Sequence, residues 1–341
     1  MTRQIVLLSI LAFSSIAAAQ DRPLKAMPVD LEDANGNYAP IPDTTEVETI
    51  VSVQIYLDEH NHGPGHIDGR LGEFGKKAAS VYNQIHRIPV GNWYQLIDSA
   101  KKAIPDPYTT YTIKKEDLNF VTPTFPTEPE EQAKTKYCGY LSLAEFVSER
   151  YHTSENFLEF LNQGMIRTNR LKAGDTVAVP NVTPWKIEEW PKHKHYEKED
   201  AKSARTVAVD IAARVAIFFD ENNRAFASFP ITPGRPKFIQ FGEFKITKMI
   251  STPEFRWDKS MLESGKRSDE YCTIPIGPNS PVGIFWASTS RNGIGLHGTS
   301  TPHNIGRTES AGCIRFANWD AVRLPNLVRP GARLVIRGDG T

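Results

Sequence analysis

Cysteine is scarce in this chain: Cys138, Cys272 and Cys313 are all there are in 341 residues. An odd, small number does not make the disulfide framework of a small secreted domain, and it leaves one thiol over, expected here to be Cys313. Whether Cys138 and Cys272 form a bridge stays open, because sequence does not say how closely their backbones approach. Net charge is also lacking. Forty Lys and Arg balance forty Asp and Glu, so there is no basic footprint for nucleic acid. Long apolar runs are absent after the first twenty residues, which excludes a membrane span beyond that point.

That first run reads as a targeting segment. Arg3 supplies a positive start, Ile5 to Ile16 an apolar stretch, and Ala17-Ala18-Ala19 a small-residue cleavage site before Gln20. The stretch is shorter than the ~20 residues that cross a bilayer, and no cysteine follows it to carry a lipid. Residues 1–19 are therefore expected to be a signal peptide. The mature protein is expected to be exported and soluble, in the periplasm or cell wall. Residues 20–43, rich in Pro, Asp and Asn, read as a flexible leader. Twenty-four prolines and twenty-three glycines point to many turns, and plentiful hydrophobics argue against disorder.

Chemistry concentrates between Val282 and Arg315. His297 opens a Gly-Thr turn, and sixteen positions later Cys313 stands between Ala311-Gly312 and Ile314-Arg315. A thiolate nucleophile needs a sulfur, an imidazole to take its proton, and backbone N–H groups left bare by small residues. Gly312 permits close backbone approach beside the sulfur, and Ser310 can fix the turn that presents it. His303 lies close in sequence and is the weaker rival to His297.

The pattern His297-Gly298-Thr299, Ile305-Gly306-Arg307, Ser310-Ala311-Gly312-Cys313-Ile314-Arg315 resembles the L,D-transpeptidase (YkuD) catalytic domain. Asn279-Ser280-Pro281-Val282-Gly283 upstream and Ala317-Asn318-Trp319-Asp320-Ala321 with Val328-Arg329-Pro330-Gly331-Ala332 downstream are similar to its flanks. The likeness covers roughly residues 204–337. Two departures stand out. Many members carry His where Ala311 stands, which is expected to alter the oxyanion surroundings. The family's Thr-Pro-x-Gly is reduced here to Gly242 in Ile239-Gln240-Phe241-Gly242, which is expected to alter a rim of the substrate groove.

Before that domain the sequence suggests two smaller units. In residues 44–96, Val47, Ile50, Val51, Val53, Ile55 and Leu57 mark a helix. Gly63-Pro64-Gly65, Ile67-Asp68-Gly69 and Leu71-Gly72 follow, then a second helix near 75–86 with Ala78, Val81, Tyr82 and Ile85. With Gln54, Leu57, Ala79 and Gln84, this resembles the peptidoglycan-binding-domain-1 family. His60, His62 and His66 crowd its loop, but no fourth zinc ligand stands at a familiar spacing, and no metal is expected. In residues 103–181, Tyr111 to Asp117 resembles an entry segment seen in many multi-module L,D-transpeptidases. Ser142-Leu143-Ala144-Glu145 is a capping box, and a second helix spans 154–162. Leu171 to Pro180 makes a turn and short strand, and the whole resembles a LysM-like repeat; a spacer packed on the catalytic domain is the equal alternative. Residues 182–203 read as a charged linker. Strands are expected at Thr206–Asp210, Val215–Phe219, Ala225–Ile231 and Phe244–Ile250. The expected architecture is thus multidomain α+β: a small helical peptidoglycan-binding module, a LysM-like α/β module, and a β-rich, sandwich-like catalytic domain at 204–338.

The resemblance implies a two-step acyl transfer without metal or cofactor. Cys313 is the implied nucleophile and His297 the proton acceptor and donor, oriented by the backbone carbonyl of Gly298. Backbone N–H groups at Gly312 and Cys313 would hold the oxyanion, and Thr299, Ser310 and Arg315 would line the substrate site. Partners would be peptidoglycan stem peptides and glycan strands, and carbapenems would acylate Cys313. Transfer to water would make the protein an L,D-carboxypeptidase, and a crippled site would leave a wall-binding adaptor.

Overall fold

The structure is a computed structural model that describes residues 45–163 and 170–338; the expected signal peptide and leader at 1–19 and 20–43 lie outside the described residues. Three helices come first: α1 (Val47–Glu59), α2 (Glu73–Ile85) and α3 (Trp93–Ala103). Val51, Val53, Ile55 and Leu57 of α1 are all fully buried, so the helix is covered on more than one side. Val53 and Leu57 pack on Ala78, Tyr82, Trp93 and Leu96 of its own bundle. Val51 and Ile55 instead join the main core of the molecule. Buried Gln54 ties the loop between α1 and α2. Its Nε2 donates to the His66 carbonyl at 3.0 Å, and its Oε1 accepts from Asp68 N at 3.0 Å and Gly69 N at 2.9 Å.

The second unit places α4 (Leu143–Arg150) and α5 (Glu155–Leu161) between two strands, β1 (Tyr108–Thr112) and β2 (Thr176–Pro180). These pair antiparallel from Tyr108↔Pro180 to Thr112↔Thr176. Ser142 caps α4 as expected, accepting from Glu145 N at 2.9 Å, but Glu145 reaches back to Leu141 N and not to Ser142. Residues 182–203, expected as a solvated tether, are packed in place. Trp185, Ile187 and Tyr196 are buried, and Trp190 Nε1 donates to the Ile284 carbonyl at 3.0 Å. Lys194 and Tyr196 extend the ladder along Ser251 and Met249. The aromatic and aliphatic residues among the charges decide the outcome, since each gains more from burial than the linker loses in freedom.

The remaining strands are β3 (Thr206–Asp210), β4 (Val215–Phe219), β5 (Ala225–Pro230), β6 (Gly242–Ser251), β7 (Phe255–Trp257), β8 (Cys272–Ile274), β9 (Phe285–Thr289), β10 (Gly295–His297), β11 (Ile314–Arg315) and β12 (Arg333–Arg337). β7 and β8 form a separate two-stranded ladder. The others form one sheet in the order β11-β10-β9-β6-β12-β3-β4-β5, with β12/β3 and β10/β11 parallel. The expected sandwich is therefore a single curled sheet. Its two edges meet, because the chain leaving β5 pairs with β11: Thr232 N donates to the Arg315 carbonyl, and Arg315 N to the Thr232 carbonyl, both at 2.9 Å. Curling satisfies edge groups that would otherwise be left unpaired.

β3 and β4 are nearly continuous apolar runs because both their faces are covered. Val207, Val209, Ala216 and Phe218 face the main core. Ala208, Val215, Ile217 and Phe219 lie under Val81 of α2. Asp58 of α1 binds the next two units at once. It pairs with Arg323, in the part of the chain that holds the curled sheet, and with His152 Nδ1 at 3.1 Å. Burial pushes its carboxyl up, but Arg323 and His152 outweigh that and hold it well below the usual range.

Candidate active site

The site lies at the seam where the sheet closes. Parallel pairing sets Leu296 opposite Ile314 and His297 opposite Arg315. Side chains alternate along strands, so the paired His297 and Arg315 share one face, and Cys313 leads directly into β11. His297 is buried and its Nδ1 lies 2.6 Å from the Gly298 carbonyl oxygen. That oxygen only accepts, so the proton sits on Nδ1 and Nε2 is left as the basic nitrogen. Trp286, directly opposite on β9, stacks on the imidazole with ring centroids 5.3 Å apart and planes 18° from parallel.

Cys313 is free and partly exposed. Its thiol approaches the Gly293 carbonyl at 3.6 Å. Burial on its other sides pushes the thiol up to about 11, against the pull of a Gly295 N–H and of Arg315. Burial, and then the charge of Arg315, push His297 down to about 3, while its bond to Gly298 works the other way. The resting pair is a thiol beside a neutral imidazole. The Arg315 cation favours a thiolate but disfavours an imidazolium. Arg315 Nε is buried with no hydrogen-bond partner.

The turn carrying the sulfur is held from within. Gly312 has φ +123°, open to glycine and rarely to other residues. Its N–H donates to Ser310 Oγ at 3.1 Å, and Ser310 Oγ donates to the Cys313 carbonyl. Ser310, expected both to fix this turn and to touch substrate, is buried and braces the turn. The Gly312 N–H, expected to bind the oxyanion, is engaged by that hydroxyl. Thr299 is also buried; its N–H donates to Asn318 Oδ1 and its hydroxyl accepts from Thr301 N, both at 3.2 Å. It shapes its own turn and does not line a surface. His303 sits exposed on a separate 3-10 turn, Pro302–Asn304.

Sequence reading did not single out Trp286 or Gly234. Gly234 lies so close to the sulfur's loop that a Cβ there would overlap Gly312 Cα. Its backbone bridges Ser310, and only tertiary structure reveals that approach. The three crowded histidines take different partners: His62 Nδ1 meets Ser228 Oγ at 2.9 Å, His66 meets Trp319 edge to face, and His60 lies tilted against Tyr56. Among the described residues no cluster of three or more His, Cys, Asp or Glu is arranged to hold a metal. The other two cysteines are free as well, Cys138 donating to the Pro275 carbonyl and Cys272 to that of Pro129.

Residues 204–336 match the sequence model of the YkuD family, described as the L,D-transpeptidase catalytic domain. The chain is similar to the "Putative L,D-transpeptidase YkuD" of Bacillus subtilis, 29% identical over 167 residues, covering 49% of this chain and 77% of that protein. It is also similar to the Bacillus licheniformis protein of the same name, 42% identical over 59 residues, or 17% of this chain and 36% of that one. Among solved structures it is similar to L,D-transpeptidase 3 from Mycobacterium tuberculosis in complex with a faropenem-derived adduct. That match has a TM-score of 0.33 and 15% identity, over 49% of this chain and 76% of the other.

Proposed function

We propose that this chain, whose residues 204–336 form an L,D-transpeptidase catalytic domain of the YkuD family, is a cysteine-dependent acyltransferase acting on peptidoglycan tetrapeptide stems. One observation carries the reading: Cys313 leads directly into the strand that pairs in parallel with the one carrying His297, and the Gly298 carbonyl sets the imidazole tautomer. As the Cys313 sulfur attacks the carbonyl between the third stem residue and the terminal D-Ala, its proton passes to His297 Nε2. The C–N bond then breaks and that proton leaves with the D-Ala amine, giving a thioester on Cys313. An acceptor amine attacks the thioester carbonyl, the amide forms, and the thiol is regenerated. A stem-peptide amine would give a 3→3 cross-link; a protein lysine would give an attached protein.

The neutral resting pair supports proton transfer coupled to attack, not a preformed ion pair. Arg315 is placed to stabilise the developing negative charge or to meet a substrate carboxylate. Oxyanion binding falls to the Cys313 N–H and its neighbours; the Gly312 N–H joins only by leaving Ser310 Oγ. No described helix is long and apolar enough to cross a membrane. Residues 1–19 support export to the periplasm or cell wall, and the two N-terminal units are read as wall-binding or spacing modules.

Mass spectrometry of tetrapeptide muropeptides after incubation with the protein tests this. A dimer lacking D-Ala is expected. A monomeric tripeptide would mean an L,D-carboxypeptidase, and unchanged substrate a wall-binding adaptor. The Cys313→Ala protein should leave substrate untouched yet still sediment with sacculi.

A further inference from the structure

We infer that Glu149, on the second N-terminal unit, is a positioning residue for the active site: through Asn318 it holds the Gly298–Thr299 turn that orients His297. The path is continuous and buried. Asn318 is fully buried and Glu149 is 2% exposed. Asn318 Oδ1 accepts from Thr299 N at 3.2 Å and from Ile284 N at 3.4 Å. Its Nδ2 donates to Glu149 Oε1 at 3.0 Å and to the Pro278 carbonyl at 3.2 Å. The amide can face only one way: two N–H donors meet its oxygen, and a carbonyl and a carboxyl oxygen meet its nitrogen. Tyr140 OH, from the same unit as Glu149, donates to the same Oε1 at 2.9 Å.

The packing around Asn318 leaves no slack. A Cβ at Gly298 or at Gly283 would overlap Asn318 Oδ1, so both glycines bring backbone against this amide. Gly298 N donates to the Phe285 carbonyl at 3.2 Å, and Phe316 N to that of His297 at 2.8 Å. The turn is thus clamped on the sheet side by backbone bonds and from behind by Asn318. Only the Asn318 clamp reaches into the N-terminal half of the chain. If its Nδ2 loses the Glu149 oxygen, the amide is free to turn. Thr299 N then loses its acceptor, and the carbonyl that fixes His297 Nδ1 can shift. Burial pushes Glu149 up to about 8, against the hydrogen bonds of Asn318 and Tyr140. At neutral pH the group is therefore uncharged, and glutamine is its fitting isostere.

The inference rests on reading His297 as the catalytic base, and its test has a readout independent of turnover. The full chain would be prepared as wild type, Glu149→Ala, Glu149→Gln and Glu149→Met. Two quantities are read: kcat and KM on a tetrapeptide stem, and the His297 tautomer by 15N NMR of histidine-labelled protein, assigned with His297→Asn. Glu149→Ala is expected to lower kcat by on the order of a hundredfold, with KM little changed, and to mix the His297 tautomers. Glu149→Gln should recover most of kcat and the single Nδ1–H tautomer. Glu149→Met fills the same space without an acceptor for Asn318 Nδ2, and should lose kcat and mix the tautomers as Glu149→Ala does. Wild-type kcat and tautomer in Glu149→Ala would overturn the inference. Should that variant not fold, wild-type kcat and tautomer in Glu149→Met would overturn it. A wild type that leaves tetrapeptide unchanged refutes only the transpeptidase reading, and the His297 tautomer then decides the Glu149 link.

Discussion

At the scale of residues, the thiol of Cys313 and the imidazole of His297 are pushed in opposite directions by the same enclosure, up to about 11 and down to about 3. Alkylation of Cys313 by iodoacetamide, followed by peptide mass spectrometry, should therefore be slow at pH 7. Its rate should climb about tenfold per pH unit with the thiolate fraction, without a plateau near neutrality. A rate already flat between pH 6 and 8 would mean a preformed thiolate–imidazolium pair. The candidates His297, Cys313, Gly298 and Arg315 could be named from the sequence because each belongs to a short contiguous motif. Ser310 braces the sulfur's turn as its motif led one to expect, whereas Thr299, expected to contact substrate, closes its own turn. Glu149 left no such signal. It is one glutamate on a helix, and its partner Asn318 lies 169 positions away.

At the scale of elements, the closing seam of the sheet sets the position of the sulfur. Gly234 has an ordinary negative φ, since it is not among the positive-φ glycines; its need for glycine is purely one of space. Gly234→Ala should push apart the 232–234 segment and the Gly312 turn, at a cost of about 1–3 kcal/mol or more. Thermal unfolding should show a lowered Tm, and Cys313-dependent turnover should fall further than stability alone explains. An unchanged Tm with full activity would refute the seam as described. The strands at 206–210 and 215–219 could be read because their apolar runs are unbroken. Those runs also carried the information that both faces are covered, but not that α2 provides the second cover. The charged segment 182–203 misled because net polarity outweighed Trp185, Trp190 and Tyr196, the residues that dock it.

At the scale of the whole molecule, the units read from sequence are not beads on a string. One core cluster runs from Val51 and Ile55 of α1 through Phe146 and Val147 of α4 to Phe229 and Leu334 of the curled sheet. The full chain should unfold in one cooperative calorimetric transition, and residues 204–338 expressed alone should self-associate through the uncovered Val215, Ile217 and Phe219. Separate transitions and a soluble monomeric fragment would contradict this. Stability should also depend on pH at the interface between units. Burial pushes Asp320 up to about 8, against the pull of Arg323. The folded chain thus keeps a proton that the unfolded chain releases near pH 4, and this contribution to stability falls as pH rises from about 4 to 8. The Tm of Asp320→Asn relative to wild type should accordingly rise across that window; a constant difference would place the titration elsewhere.

The central claim concerns a bond to one atom. Intact-protein mass spectrometry after brief mixing with a tetrapeptide stem and acid quench should show a mass gain equal to the stem less D-Ala, localised by peptide mapping to Cys313 and absent from the Cys313→Ala protein. Turnover of the stem without that adduct, or an adduct on another residue, would contradict the account.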